Sequence, residues 1–432
     1  MDGRQFAGRM NATYFAGGLA VEVLDRISAL PVDREDARAF VERMFRSMHG
    51  AGFAATEVSL LQADILAALL SRLLPGNWEG RVPPITIAGR HGKLDQLVAQ
   101  TAADDALPRT LIDVACGFPP LTTVDTATTL AGWQVTGVDR SLPAYLVNDP
   151  HGNYAVFDGD GRATYFQPLV PSADNWTTLL RDWEASRQRF ERLLQALLAE
   201  RVRLGGPDRV EHDGATLEVQ PVHAYAHDRL RFVAADLADA HLPPAGVVRC
   251  CNMLMYFNRA FRTAALAQLA DLLEPNGLLV CGSDWIFTTE ARYFTYRKRD
   301  GRLADCEFAF SLDNVAPLGI LPWYTLNDDD VEIEVLMRLV GILRADRRFI
   351  DRFLEAADAI RAELGLPSRV SGRTAAPAIH NASPADLWIL SARHSERLAE
   401  AFGAAAVEAL GRQGLEARIN SVGHIAVVMP AL

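Results

Sequence analysis

The sequence predicts an α/β protein whose core is a doubly wound, mostly parallel sheet. Three observations carry that expectation. Short apolar runs alternate with helical stretches between residues 110 and 283, the pattern of strands joined by helical crossovers. The first of these runs ends in a turn of small residues, Ala115-Cys116-Gly117, and the second closes on an acid, Asp139. An interval of about 90 residues then separates the second run from the third, far more than a crossover needs.

At 432 residues the chain is too long for one ordinary domain of roughly 100–200 residues. Its 49% hydrophobic and 22% charged content is that of a globular protein. The net charge of −11, with no run of five Lys or Arg, argues against a nucleic-acid partner. Five cysteines without a CxxC pair exclude a disulfide scaffold and a structural zinc site. The opening MDGRQFAGRM has no apolar segment behind its charges, so no signal peptide is expected. The most apolar helical stretch, 58–74, is interrupted by Asp64 and Arg72 and is too short for a bilayer. A cytoplasmic protein with no membrane partner is expected.

Residues 1–107 form a helical region, with a helix over 53–76 stopping at Pro75-Gly76 and prolines at 83, 84 and 108 beyond it. The core comprises 108–140 and 230–312. Its strands are TLIDVACGF (110–118), QVTGVD (134–139), LRFVAADL (230–237), GVVRCCNMLMYF (246–257) and LLVCGS (278–283), followed by a hairpin over 291–312 turning at Asp300-Gly301. Residues 141–229 form an inserted α+β subdomain: a hairpin over 153–168, an amphipathic helix over 174–204 and a second hairpin turning at Asp213-Gly214. Residues 313–432 are a helical C-terminal region with a linker at 367–377, a helix capped by Ser383 and a terminal strand over 417–429.

The strand-end acids carry the chemistry. In a nucleotide-binding sheet an acid closing the second strand is placed to accept the hydroxyls of a ribose, which is the position of Asp139; Asp236 follows the third strand. A GxGxxG fingerprint is absent, and Phe118-Pro119-Pro120 leaves few N–H groups for a pyrophosphate. The ligand expected is an adenosine without phosphates. Other patterns have simpler explanations. Asp158-Gly159-Asp160-Gly161 lacks the later ligands of a calcium loop and is a hairpin turn. Asp328-Asp329-Asp330 begins a helix, where its dipole favours acids. Leu321-Pro322-Trp323-Tyr324 is an aromatic loop suited either to packing or to covering a substrate.

Together DVACG (113–117), GVD (137–139), AADL (234–237) and LLEPNGLLVCGS (272–283) resemble the class I S-adenosylmethionine-dependent methyltransferases. RCCNMLMYFN (249–258) is similar, more narrowly, to the fourth-strand signature of the chemotaxis-receptor (CheR-type) methyltransferases. The resemblance covers about 110–140 and 230–312, and its first motif has fewer glycines than the family's ExGxGxG. It implies a seven-stranded Rossmann-like methyltransferase sheet, with the 291–312 hairpin as its sixth and antiparallel seventh strands. The implied cofactor is S-adenosylmethionine. Ala115 and Gly117 would border its methionine part, with Asp113 fixing the loop or the cofactor ammonium. Asp139 would take the ribose, Arg140 would flank the adenine, and Asp236 and the Leu237 N–H would hold the adenine ring. Asn252 and Tyr256 would face the sulfonium and the acceptor. Where the acceptor must lose a proton, Tyr256, Asp284, His223 and His227 are the candidate bases.

The activity expected is methylation of a small molecule or of a carrier- or peptide-bound acceptor, with no metal and with a homodimer as the candidate assembly. Two alternatives stand beside it: transfer or cyclisation of the cofactor's aminocarboxypropyl arm, and a catalytically inactive scaffold that keeps the fold.

Overall fold

The computed structural model describes residues 2–73, 86–168, 182–239, 242–285, 289–366, 368–369 and 384–430. The helix stop at Pro75-Gly76, the prolines at 83 and 84, most of the 367–377 linker and the Ser383 cap lie outside them. The elements begin with α1 (Gly3–Tyr14), α2 (Val21–Ser28), α3 (Glu35–Gly50), α4 (Leu60–Leu73) and α5 (Gly92–Asp104). There follow β1 (Thr110–Val114), α6 (Leu121–Thr129), β2 (Gln134–Val138), β3 (Tyr145–Asn148), β4 (Asn153–Phe157) and β5 (Ala163–Pro168). Next are α7 (Trp183–Arg203), β6 (Arg209–His212), β7 (Ala215–Val219), β8 (Leu230–Val233), β9 (Ala245–Cys251), α8 (Arg259–Asp271) and β10 (Leu273–Asp284). The last are β11 (Ala291–Arg299), β12 (Arg302–Phe310), α9 (Val331–Ala345), α10 (Arg347–Leu364), α11 (Pro384–Gly411), β13 (Ala417–Ile419) and β14 (Ile425–Val428). None of the described helices is long and apolar enough to cross a membrane.

The chain divides into two compact units. The first comprises Met1–Ala67, Gly89–Val114 and His241–Leu432, and its strands run in the order β13-β14-β12-β11-β10-β9-β1. Strands β1, β9 and β10 are parallel and almost wholly buried, as expected of apolar runs covered on both faces. β11 and β12 follow as an antiparallel meander turning at Asp300 (φ 49°) and Gly301 (φ 78°), the two left-handed positions of a tight hairpin turn. The first hairpin strand is therefore the one lying antiparallel to β10, which corrects the sixth-and-seventh-strand order. The single terminal strand is also corrected: β13 and β14 form a hairpin that extends the sheet from β12, two strands outside the seven-stranded plan.

β9 stops at Cys251, six residues before the apolar run does. Asn252 adopts φ 59°, a left-handed conformation that asparagine tolerates better than most residues. Its N–H still donates to Gly282 O at 2.7 Å. Gly282 itself has no room for a side chain, since a Cβ there would lie 2.3 Å from Arg292 O. Trp323 and Tyr324 are buried, in edge contact with Phe53 and Phe40 at 5.5 and 5.4 Å, so the aromatic loop serves packing. Asp330 caps α9, while Asp328 pairs with Arg43 and Arg46.

The second unit comprises Ala68–Ala88 and Ala115–Ala240. Its parallel pair β2–β8 accompanies a five-stranded antiparallel sheet in the order β5-β4-β3-β7-β6. One face of that sheet and the inner face of α7 share a core of Val147, Val156, Phe157, Phe166, Phe190, Leu194 and Leu217. The alternation around Asp158–Gly161 and Asp213-Gly214 does produce the hairpins β4–β5 and β6–β7.

Candidate functional site

In the second unit the chain after β1 makes a left-handed step at Ala115 (φ 61°) and again at Gly117 (φ 69°). Two bonds to the end of β2 hold this turn: Ala115 and Cys116 N–H both donate to Val138 O, at 2.7 and 3.2 Å. The Asp139 carboxylate then accepts from Gly117 N at 3.0 Å and from Ser141 N at 2.7 Å. Asp139 is thus the clamp on the small-residue turn as well as a strand-end acid. Behind the turn, the Tyr165 hydroxyl donates to Phe118 O at 2.7 Å, and burial pushes that phenol's pKa well up.

Arg140 and Asp236 are both about half exposed, 3.7 Å apart. Asp236 also accepts from Ala238 N at 3.1 Å, capping a 3-10 turn that starts at Leu237, whose first N–H groups have no partner within the turn. These groups fit an adenosine: a part-buried carboxylate at a strand end, a turn without bulk, and donors and acceptors for a heterocycle. His223 lies exposed on the 3-10 turn Pro221–Tyr225, and His227 is exposed beyond it, with Nδ1 accepting from Arg229 N. Among the described residues no side chain is hydrogen-bonded to either ring.

In the first unit Asp113 lies at the centre of a buried ion cluster. Arg249, opposite it in the register of β1 and β9, donates to both its oxygens at 2.9 Å and to Asp95 of α5 at 2.6 Å. Burial opposes the Arg249 charge, but Asp113 and Asp95 raise its pKa on balance. Asp113 is therefore an internal counterion, which corrects the ammonium-binding role drawn from the resemblance.

At the exits of β9 and β10 a second polar cluster forms. Asp284 is 5% exposed. Its Oδ1 accepts from Asn252 Nδ2 at 2.8 Å and Arg90 Nε at 3.2 Å, and its Oδ2 lies 2.6 Å from His91 Nδ1. Arg90 also donates to the Asp284 carbonyl at 2.7 Å, and the Asp284 N–H donates to Asn252 Oδ1 at 3.2 Å. Burial alone would raise the carboxyl pKa, yet His91, Arg90 and Asn252 together hold it at about 2. So acidic a group is a poor proton acceptor at neutral pH, which corrects Asp284 as the base. Tyr256 stands in a 3-10 turn, its ring 6.1 Å from that of Tyr324. Burial raises its pKa, although Tyr324 and Arg90 act the other way, so the phenol keeps its proton at neutral pH.

The structure brings Asn252 and Asp284 together and adds Arg90 and His91, which the sequence analysis did not single out. No fixed spacing ties residue 91 to residue 284; only the polar composition of Gly89-Arg90-His91-Gly92-Lys93 before α5 marks the place. The five cysteines are buried and free.

No family model matches the chain, and no curated protein matches at a significant level. Solved structures do match in part. One is a Methanococcus maripaludis protein assigned to the S-adenosylmethionine-dependent methyltransferases, 9% identical with TM-score 0.22. That match covers 50% of this chain and 62% of the other, less than two thirds of its length. Another is the N-methyltransferase NodS of Bradyrhizobium japonicum WM9 in complex with S-adenosyl-L-homocysteine, 11% identical, covering 49% and 72%, TM-score 0.22. A third is magnesium protoporphyrin IX methyltransferase from Synechocystis PCC 6803 with bound SAH, 15% identical, covering 50% and 70%, TM-score 0.22.

Proposed function

We propose that this chain is an S-adenosylmethionine-dependent methyltransferase acting on the oxygen or nitrogen of a small molecule or of a carrier- or peptide-bound acceptor. The observation that carries this reading is the Asp139 clamp: a strand-end carboxylate holding a turn of small residues, with no phosphate-binding glycines beside it. The bound cofactor supplies a methyl group on a sulfonium. In the second unit Asp139 binds the ribose, Ala115 and Gly117 leave room for the methionine part, and Arg140, Asp236 and Leu237 receive the adenine. In the first unit Asn252, fixed in its left-handed pose by Gly282 and Asp284, offers a polar group beside Tyr256 for orienting the acceptor. The similarity of 249–258 to the receptor methyltransferases supports that assignment. Most of the rate enhancement then comes from positioning.

A thermal-shift comparison tests the reading. S-adenosylmethionine or S-adenosylhomocysteine at 100 times its dissociation constant should stabilise the fold by about 2.7 kcal/mol, and NAD should not. A shift with NAD alone would overturn the assignment. Cofactor labelled separately in the methyl and the carboxyl carbon distinguishes the two transfer chemistries, since carboxyl label in the product with release of methylthioadenosine would mean the aminocarboxypropyl arm moves.

A further inference from the structure

We infer that the second unit carries an amine-binding surface beside the turn that Asp139 clamps, and that the acceptor is recognised there by a cationic amine group. The link to an acceptor rests on the proposed methyl transfer; the surface itself does not.

Opposed residues of an antiparallel pair share one face of a sheet. Glu218 of β7 stands opposite Leu146 of β3, Leu146 opposite Val156 of β4, and Val156 opposite Tyr165 of β5. The four form one row on one face, and Tyr154, two residues before Val156, shares that face. Tyr165 shows which face it is. Its hydroxyl reaches Phe118 O, so the row runs along the side turned to the 115–118 turn. Phe166, on the other side, stacks on Phe190 of α7 at 5.9 Å.

Alongside the row, the 3-10 turn Pro221–Tyr225 brings the Tyr225 ring edge-on to that of Phe118, at 6.2 Å. Tyr225 is also a neighbour of Glu218 and Tyr154. Burial and the Glu218 charge raise the Tyr225 pKa, and burial and Tyr225 push that of Tyr154 up to about 12. All of these residues belong to the second unit.

Two features of the surface ask for a cation. Glu218 is half-buried, yet among the described residues its carboxylate has no ion pair and accepts no hydrogen bond. Arg209, opposite it on β6, is exposed and makes no ion pair with it. Withdrawing a carboxylate from water without a partner is unfavourable, and an ammonium group relieves that. Beside it stand the rings of Tyr225, Tyr154 and Phe118, whose electron-rich faces attract a cation. Both tyrosines remain partly exposed, and neither hydroxyl has a hydrogen-bond partner among the described residues. A neutral ligand would leave Glu218 unpaired, and an anion would be repelled by it.

The test is calorimetry on the full chain with choline and with its uncharged carbon isostere, dimethylbutanol. Choline should bind saturably and the isostere about tenfold more weakly or not at all. Glu218→Gln and Tyr225→Leu should each weaken choline by about fivefold or more. Tyr225→Phe keeps the ring and should keep the affinity, which a role for the hydroxyl in packing would not predict. Equal binding of the isostere, no saturable binding of choline, or choline binding indifferent to both variants would overturn the amine surface. S-adenosylhomocysteine titrated in parallel keeps the two ideas apart. Its affinity should be unchanged in Glu218→Gln, and an equal loss there would make Glu218 a cofactor ligand and sink the inference. Choline binding without any S-adenosylhomocysteine binding would sink the methyltransferase reading and leave the amine surface standing.

Discussion

The two units treat their strand-end carboxylates in opposite ways. In the first, Asp113 and Asp284 are nearly inaccessible and are held by arginine, histidine and asparagine side chains. In the second, Asp139 and Asp236 are held by backbone N–H groups, and Asp236 is about half exposed. All four look alike in the sequence, each an acid at or near the end of an apolar run. What separates them is the partner each meets across the fold. The first pair is committed to buried side-chain partners, while in the second Asp236 stays about half exposed beside Arg140.

The largest effects should come from breaking buried commitments. Arg249→Met should cost about 3–5 kcal/mol in urea denaturation, because it takes the arginine away from two buried carboxylates, Asp113 and Asp95. Phe157→Ala, in the core of the second unit, should cost a similar ~3–5 kcal/mol.

Asp284 gives a pH-dependent test. Its folded pKa of about 2 lies below the ordinary carboxyl value, so its stabilisation is present above roughly pH 4 and is lost as pH falls through 2. The size is about 2 kcal/mol. Wild-type protein should therefore lose stability between pH 4 and pH 2 by about that much more than Asp284→Asn, as read from denaturant midpoints at each pH.

Asp139→Ala should weaken S-adenosylhomocysteine binding by about 1.5–3 kcal/mol in calorimetry while leaving the unit folded. An unchanged affinity would make Asp139 a clamp and nothing more. Smaller again is Tyr165→Phe. It removes the bond to Phe118 O and should cost about 1 kcal/mol of stability, with a rise of a few fold in the cofactor's dissociation constant as the turn loosens. Asp236→Ala should change stability by no more than about 0.5 kcal/mol.

Tyr165 also shows where the sequence was misleading. The alternating pattern of 153–168 places Tyr154, Phe157 and Tyr165 on the strands of a hairpin without saying which of them the core takes. Phe157 and Tyr165 are buried, and Tyr165 props the turn that Asp139 clamps. Alternation marked these residues as strand but could not say which face α7 would cover. The parallel runs of β1, β9 and β10 and the three glycine-turned hairpins were legible because local periodicity and turn chemistry dictate them. The Asp284–His91 contact and the Arg249 cluster were not. Each joins residues far apart in the chain, and no local spacing encodes such a pairing. The position of β14 was hidden for the same reason, since a short apolar run does not reveal which edge it will join.

That last hairpin has a bearing on biogenesis. β12 emerges from the ribosome well before its neighbour β14, with α9, α10 and α11 made in between. Until β14 arrives, β12 presents an uncovered edge with a row of unsatisfied backbone groups, the template on which nascent chains pair wrongly with one another. Shortening the chain before residue 417 should therefore yield inclusion bodies more readily than a catalytically impaired soluble protein, even though the removed strands carry none of the proposed chemistry.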